Sequence, residues 1–576
     1  MADTSENVAT EAPASNLLQQ IGLFAGPALA LAIFLFFPKQ AEAVDHAQRC
    51  TAALAIWMAV WWMTEAVAIE ATALLPLVFL PLSGVYPSSP RVGDRVTVSF
   101  EKQKVPAKVI AIDKAKGDSD EGPTALVAPL LLKNMSAVEP VRVPQKAISV
   151  EHPLKRAAAP YADRSVYMYL GGFLIALAME RWNLHKRIAL NMLGLVGTSP
   201  ARIVFGMMFI TAGISLWISN TATAVMMLPI GLSLVALGTP IHGQQRNQAK
   251  FNLGEQNFGI CVMLAIAYGA SIGGLGTLVG TPPNIFFKGF MADRGISIGF
   301  TSWMLFAIPV VVVYLGMAWW VLVKWLFPLG DVEISGGAEQ VKTQLAALGR
   351  MKWGEICALC VFLLTAIAWT AREPLSSVES IRTTLPWLEK LDEATIGLVG
   401  GLILFLIPVD WQKGEFVLDW HACRGLPWGV LLIFGGGLSL AAAMEDSKLA
   451  EWIAAQVHSL SGLPLWLLIA LVVVGVVLFS EMASNLATAT ALLPILFDVA
   501  VGLELDPLVL CVPAIVAASC GFMLPVATPP NAIVFGSGKI PMRQMLRAGL
   551  VLDLIAVVLI PIAVFIWGGY TLGIRF

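Results

Sequence analysis

The stretch SNTATAVMMLPI (219–230) returns as SNLATATALLPI (484–495), 265 residues further along the chain. A second pair, GGFLIALAME (171–180) and GGLSLAAAME (436–445), keeps the same offset. A third, TPPN at 281–284 and at 528–531, follows in the same order. Short runs of small residues match by chance, but three ordered pairs do not, so the chain carries an internal duplication. We place repeat 1 at 165–330 and repeat 2 at 354–576, joined by a linker over 331–353 on the cytoplasmic side.

Both repeats sit in apolar sequence. Of the 576 residues 57% are hydrophobic and only 13% charged, with a mean hydropathy of +0.76, whereas soluble domains are about 25% charged. A crossing helix needs roughly 20 apolar residues, and the apolar stretches from Ile21 onward amount to about eleven crossings plus two longer hairpin segments. Residues 1–20 form an acidic, Ala/Ser-rich leader without the basic start of a secretory signal, and 21–87 are the first membrane helices. The net charge of −2 argues against nucleic acid as a partner. The seven cysteines show no paired spacing, and a metal site at His421 and Cys423 is not expected.

The segment 88–164 departs from this pattern. RVTVSF (95–100) and AKVIAID (107–113) alternate apolar and polar residues, as half-buried strands do, so a small β-rich soluble insert is predicted. Orientation follows from the basic loops. Arg181, Lys186, Arg187 and Arg202 form one cluster, Arg246 and Lys250 a second, and Lys539, Arg543 and Arg547 a third. Basic loops favour the cytoplasmic side, which all three share if the N-terminus is cytoplasmic and the C-terminus external. The two repeats then run in opposite senses. Inverted repeats with a site between them near the midplane are characteristic of secondary transporters.

Residues 203–241 contain no charge and exceed one span, with Ser215, Ser219, Asn220 and Thr221 as a polar break at the centre. A hairpin over 203–238 that enters and returns accounts for both facts, since irregular backbone at membrane depth must be buried in protein or line an aqueous cavity. Ser480, Ser484 and Asn485 repeat the pattern in a hairpin over 463–501. After each hairpin comes a helix broken by Gly and Pro, over 257–290 and 507–537. Serine hydroxyls, asparagine carbonyls and freed backbone carbonyls are hard oxygens suited to a hard cation, and sodium fits, one site per repeat. No Lys or Arg lies in 203–241, 256–287 or 507–538, so an anion there must be met by helix N-termini, amides, hydroxyls and the bound cations. Glu65 and Glu70 are candidates for proton or cation coupling, with a structural hydrogen-bonding role favoured, while Glu481, beside the second tip, stays open between structure and coupling.

These paired motifs resemble the divalent anion/sodium symporter family, over nearly the whole chain except the leader and the insert. The resemblance implies an all-α polytopic protein, a homodimer in the lipid bilayer, and an elevator motion of a transport domain bearing both hairpins. It implies one sodium at Ser215, Ser219 and Asn220 with carbonyls from Gly274 to Gly276. A second would lie at Ser480, Ser484 and Asn485 with carbonyls from Pro525 to Ala527. Asn220, Thr221 and Asn485 would face a substrate carboxylate, with the Thr281 and Thr528 loops lining the same cavity. The second motif departs from the family pattern at Leu486, which removes a hydroxyl donor from one end of the pocket and bears on specificity.

The reading is therefore sodium-coupled symport of a small divalent anion, foremost a C4-dicarboxylate such as succinate, in the cell (inner) membrane. Sulfate or citrate transport, sodium-independent exchange on the same fold, and a membrane ligand sensor are the alternatives. An enzyme is not expected, because the histidines lie away from the serine tips and no nucleophile has a base beside it.

Overall fold

In the computed structural model the described residues are 17–37, 44–86, 95–100, 103–113, 124–129, 141–144, 148–149, 152–196, 199–237, 248–329, 337–377, 391–449, 452–453, 462–525 and 527–576. Most of the leader, Arg246, part of the linker and Val526 lie outside them. Among the described residues eight helices are long and apolar enough to cross a bilayer, including Gly254–Gly274, Phe300–Leu326 and Met542–Leu572. Other apolar helices are shorter, such as Ile69–Leu82, Glu393–Leu406 and Leu508–Ala517. Outside the arms of the two expected hairpins, six of the long helices and three of the shorter ones remain among the described residues, against the about eleven full crossings expected.

The insert is β-structured, as the alternation predicted. Five strands, β1 (Arg95–Phe100), β2 (Gln103–Asp113), β3 (Thr124–Pro129), β4 (Val141–Pro144) and β5 (Ile148–Ser149), form one antiparallel sheet in the order β4-β3-β2-β1-β5. Residues 153–162, within the expected insert, differ from a β reading: they are helical and dock on the helical body. Ala157 is buried and its carbonyl accepts from Ser439 Oγ at 2.9 Å. Tyr161 donates to the Ala73 carbonyl, and Arg156 pairs with Asp446 at 2.7 Å. Pro153 begins this helix, where a missing amide costs nothing.

Each repeat supplies a helical hairpin and a broken helix in the same order. In repeat 1 the arms are Pro200–Ser215 and Asn220–Leu237, and the helices either side of the break are Gln248–Gly274 and Pro282–Asp293. In repeat 2 they are Leu465–Met482 and Asn485–Gly502, then Leu508–Ala517 and Pro529–Gly536. Gly254–Gly274 is buried along nearly its whole length and packs on both arms of the first hairpin. The repeats interlock: Pro282–Asp293 packs on the second hairpin's Asn485–Gly502, and Pro529–Gly536 packs on Gln248–Gly274 and Asn220–Leu237. Around this set, Arg164–Arg181 crosses Glu393–Leu406 so closely that a Cβ on Gly171 would meet the Gly397 backbone at 2.2 Å. Small residues permit such crossings where lipid supplies no hydrophobic drive between helices.

Two of the cations used for orientation are ion-paired. Arg181 meets Asp419 at 2.7 Å, and Arg187 meets Glu355 at 2.6 Å while also donating to the carbonyls of Leu348 and Gly349. Arg187 thereby ties Leu184–Val196 to the start of Trp353–Ser377.

Candidate cation and anion site

The hairpin tips are built by capping. Ser219 and Ser484 each precede a second arm, and each hydroxyl accepts the amide three residues on, from Ala222 and Ala487, both at 3.3 Å. This satisfies an amide that a helix start leaves free. Asn220 and Asn485 thus become first residues of helices whose positive ends face the breaks. Thr221 is exposed and Leu486 buried, so the two tips differ in placement as well as in chemistry.

Ser215 Oγ donates to the Ala270 carbonyl at 2.7 Å, and Ser480 Oγ donates to the Ala518 carbonyl at 2.6 Å. Each hydroxyl also meets its own asparagine Oδ1, at 2.8 Å for Asn220 and 3.2 Å for Asn485. In the first repeat the same end of the Asn220 amide lies 3.1 Å from the Ala270 carbonyl and 3.3 Å from that of Gly280. An amide end ringed by acceptors is satisfied in two ways: its nitrogen turned inward to donate, or its oxygen turned inward around a shared cation. Asn220 reaches this place only because position 274 is glycine. A Cβ there would stand 2.3 Å from Asn220 Oδ1.

The TPPN asparagines, which sequence reasoning left without a role, hold the breaks together. Asn284 Nδ2 donates to the carbonyls of Gly274, Leu275 and Thr277 at 3.3, 3.2 and 2.8 Å. Asn531 Nδ2 donates to those of Gly521 and Leu524 at 3.1 and 3.0 Å, positions that match Gly274 and Thr277 at the same offset as TPPN itself. Exact recurrence of Asn after Pro-Pro was the available signal. Among the described residues the Asn284 and Asn531 Oδ1 atoms are buried without hydrogen-bond partners, as are the hydroxyls of Ser271 and Ser519, each of which follows the alanine whose carbonyl takes Ser215 or Ser480. Buried polar atoms are normally satisfied, so duplicated orphan oxygens beside two breaks mark a place suited to cations.

Thr281 and Thr528 cap the half-helices after the breaks. Thr528 Oγ1 accepts the Asn531 amide at 3.4 Å, whereas Thr281 Oγ1 is buried and unpartnered. Gly276 packs under Leu216, and Ala527 under Gly521. Ser219 borders a narrow gap with Trp217, Val279 and Gly172 rather than joining the Ser215 cluster. Tyr268, in the last turns before the first break, donates to Phe522 in the second at 3.2 Å, so the two breaks are adjacent.

Glu481, left open between structure and coupling, lies against the second break. It accepts the amides of Met523 and Leu524 at 2.8 and 2.9 Å and so shapes the second break. The first repeat has Leu216 at the matching position, and there Thr277 donates to the Leu216 carbonyl instead. Glu65 and Glu70, expected to hydrogen-bond, are exposed and carry no hydrogen bond among the described residues; Glu65 sits in a left-handed turn with φ 48° after Val44–Thr64. His421 contacts Arg424, and the close His–Cys contact is instead His46 with Cys50 at 3.5 Å.

This geometry meets its comparison in a family model, the sodium:sulfate symporter transmembrane region, which matches residues 20–574. The chain belongs to the sodium:sulfate symporter family. Its resemblance to the divalent anion/sodium symporters is thereby borne out, and the protein is an integral membrane transporter rather than an enzyme. It is similar to the sodium-dependent dicarboxylate transporter SdcS of Staphylococcus aureus strain USA300, 35% identical over 560 residues covering 96% of this chain and 92% of that one. The SdcS of Staphylococcus saprophyticus is 34% identical over 563 residues, covering 97% and 93%. Among solved structures the fold is similar to the YdaH transporter of Alcanivorax borkumensis, with a TM-score of 0.52 and 14% identity, covering 87% of this chain and 99% of that one. MtrF of Neisseria gonorrhoeae gives 0.52 at 13%, covering 88% and 96%. These two likenesses concern the fold alone.

Proposed function

We propose that the protein is a sodium-coupled symporter of a small dicarboxylate, foremost a C4-dicarboxylate such as succinate. The observation that carries this is the duplicated cluster in which Ser215 and Ser480 each bind a carbonyl one turn before a broken helix, with an asparagine alongside. The similarity to sodium-dependent dicarboxylate transporters supports both the cation and the substrate class. Sodium is cargo here.

One sodium is held by Ser215, Asn220 and the carbonyls of the first break, with Ser219 fixing the tip. A second is held by Ser480, Asn485 and the carbonyls of the second break, with Ser484 in the matching role. The substrate carboxylates then meet the tips at Asn220, Thr221 and Asn485, with Leu486, Thr281 and Thr528 shaping the pocket. Because no Lys or Arg lies in these segments, the bound cations and the helix N-termini supply the positive potential. Cation binding is then a precondition for anion binding, which is coupling.

The hairpins are re-entrant, the repeats inverted, and both hairpins with their broken helices move as one elevator unit against a homodimeric scaffold. The interlocking of each half-helix with the opposite hairpin supports a single moving body. The N-terminus is cytoplasmic and the C-terminus external, on the basic-loop argument. Uptake of radiolabelled succinate and sulfate into proteoliposomes, with and without an inward sodium gradient, tests the proposal. Sodium-driven succinate uptake is expected; equal uptake without sodium would sink it.

A further inference from the structure

At the end of Pro282–Asp293 remote from the break lies a cavity of 470 Å³, far larger than a four-carbon dicarboxylate needs. Its wall includes Arg164, Lys288, Arg372, Asp392 and Glu393. Lys288 follows Asn284 by four residues, so one short helix carries Asn284 at the break and, a turn later, Lys288 in this wall.

The charges are unequally engaged. Lys288 Nζ and Arg372 Nη1 share the same Glu393 oxygen, at 3.2 and 3.1 Å. At 3.2 Å from that one oxygen, the buried Lys288 ammonium has no other acceptor among the described residues for its remaining donors. Asp392 Oδ1 is occupied by the Thr395 amide at 2.7 Å, capping Glu393–Leu406. Arg164 is exposed at the rim and forms no ion pair among the described residues. In the wall itself three cations stand against two engaged carboxylates, with Asp293 also within electrostatic reach of Arg164. Phe300–Trp320 also begins at this wall, at Gly299, without a side-chain cap, and its positive end adds to the potential.

We propose that this cavity is an anion-binding vestibule, a second site that takes small carboxylates before they reach the hairpin tips. It rests on the reading of the protein as a dicarboxylate symporter. The central site, whose hairpin tips and breaks carry no Lys or Arg, has no long-range attraction for an anion until sodium is bound, whereas a cationic antechamber raises the local anion concentration whatever the sodium occupancy. A ligand carboxylate supplies the acceptors that Lys288 lacks and offers Arg372 a bidentate partner. It thereby competes with Glu393 for both cations. Lys288 belongs to the site-bearing helix and Glu393 to a surrounding one, so an arriving anion loosens the link between the two sets.

The test is succinate uptake by the full chain in proteoliposomes at fixed sodium, with ionic strength varied by an inert salt. Wild type should show a KM that rises as added salt screens the vestibule, since screening shortens from about 30 Å at 0.01 M to about 10 Å at 0.1 M. Arg164→Gln should raise KM about tenfold at low salt, with a much smaller effect on maximal rate, and flatten the salt dependence. Arg164→Lys should restore it, and Ser297→Asp, in the same wall, should mimic the loss. Both effects should appear only for succinate added to one face. Arg164 is exposed, so its variants do not put folding at risk. Wild-type KM and salt dependence in both Arg164→Gln and Ser297→Asp would overturn the vestibule while leaving sodium-dependent symport intact. No sodium-dependent uptake by wild type would defeat the transport reading, and the vestibule with it.

Discussion

Asn220 and Asn485 carry the sharpest consequences at the scale of single residues. Each loses a ligand-bearing amide on truncation, and a hydrogen bond to a charged group contributes roughly 1.5–3 kcal/mol. Asn220→Ala and Asn485→Ala should therefore raise the sodium concentration for half-maximal uptake about tenfold or more, read from sodium titrations of succinate uptake; unchanged titrations in both would remove the sodium assignment. Asn284→Ala tests a different property. It strips the amide from three buried carbonyls, at about 1–3 kcal/mol for each group left unpaired, so thermal melting should fall by several degrees even without sodium. Leu486→Thr restores the hydroxyl that Thr221 carries at the matching position of the first tip. Its expected effect is a changed ratio of succinate to sulfate uptake.

At the scale of elements, the two breaks are held by different means. The second is shaped by a carboxylate accepting two amides, the first by a threonine donating to a carbonyl. Glu481→Gln keeps the size but turns one acceptor into a donor facing an amide. It should weaken the second cation site more than the first, so the sodium dependence should lose cooperativity while retaining one saturable component. A second element-level link is Arg187 with Glu355, largely buried. Breaking such a pair strands a buried charge, which costs about 3–5 kcal/mol. Glu355→Ala should accordingly lower the melting temperature of the detergent-solubilised protein far more than loss of the exposed Lys413–Asp410 pair does.

At the scale of the whole molecule, the proposed elevator would make the interlocked hairpins and half-helices one moving body and Arg164–Arg181 with Glu393–Leu406 part of its surround. If the first moves against the second, cysteines at Lys288 and Glu393 bridged by a short thiol crosslinker should arrest uptake, and reversal of the bridge should restore it. Full uptake in the bridged protein would contradict the elevator. The membrane character, the family and the helix ends at both Ser-Asn motifs were legible in the sequence, because motif recurrence, missing charge and Pro-Gly breaks are local properties of the chain. The β-structured insert was legible for the same reason, through its alternation. What only the tertiary structure decided depends on contacts between distant segments. Asn284 and Asn531 became clamps because the chain folds back onto carbonyls that a linear reading cannot pair. Ala270 and Gly280 entered the first cluster because a hydroxyl and an amide reach them across the hairpin. Glu481 meets the second break because two of its amides fall within reach of the carboxylate. The cationic cavity exists only because Arg164, Lys288 and Arg372, far apart in sequence, end on one wall. Periodicity and composition report which residues must be buried, whereas packing alone determines which buried groups meet.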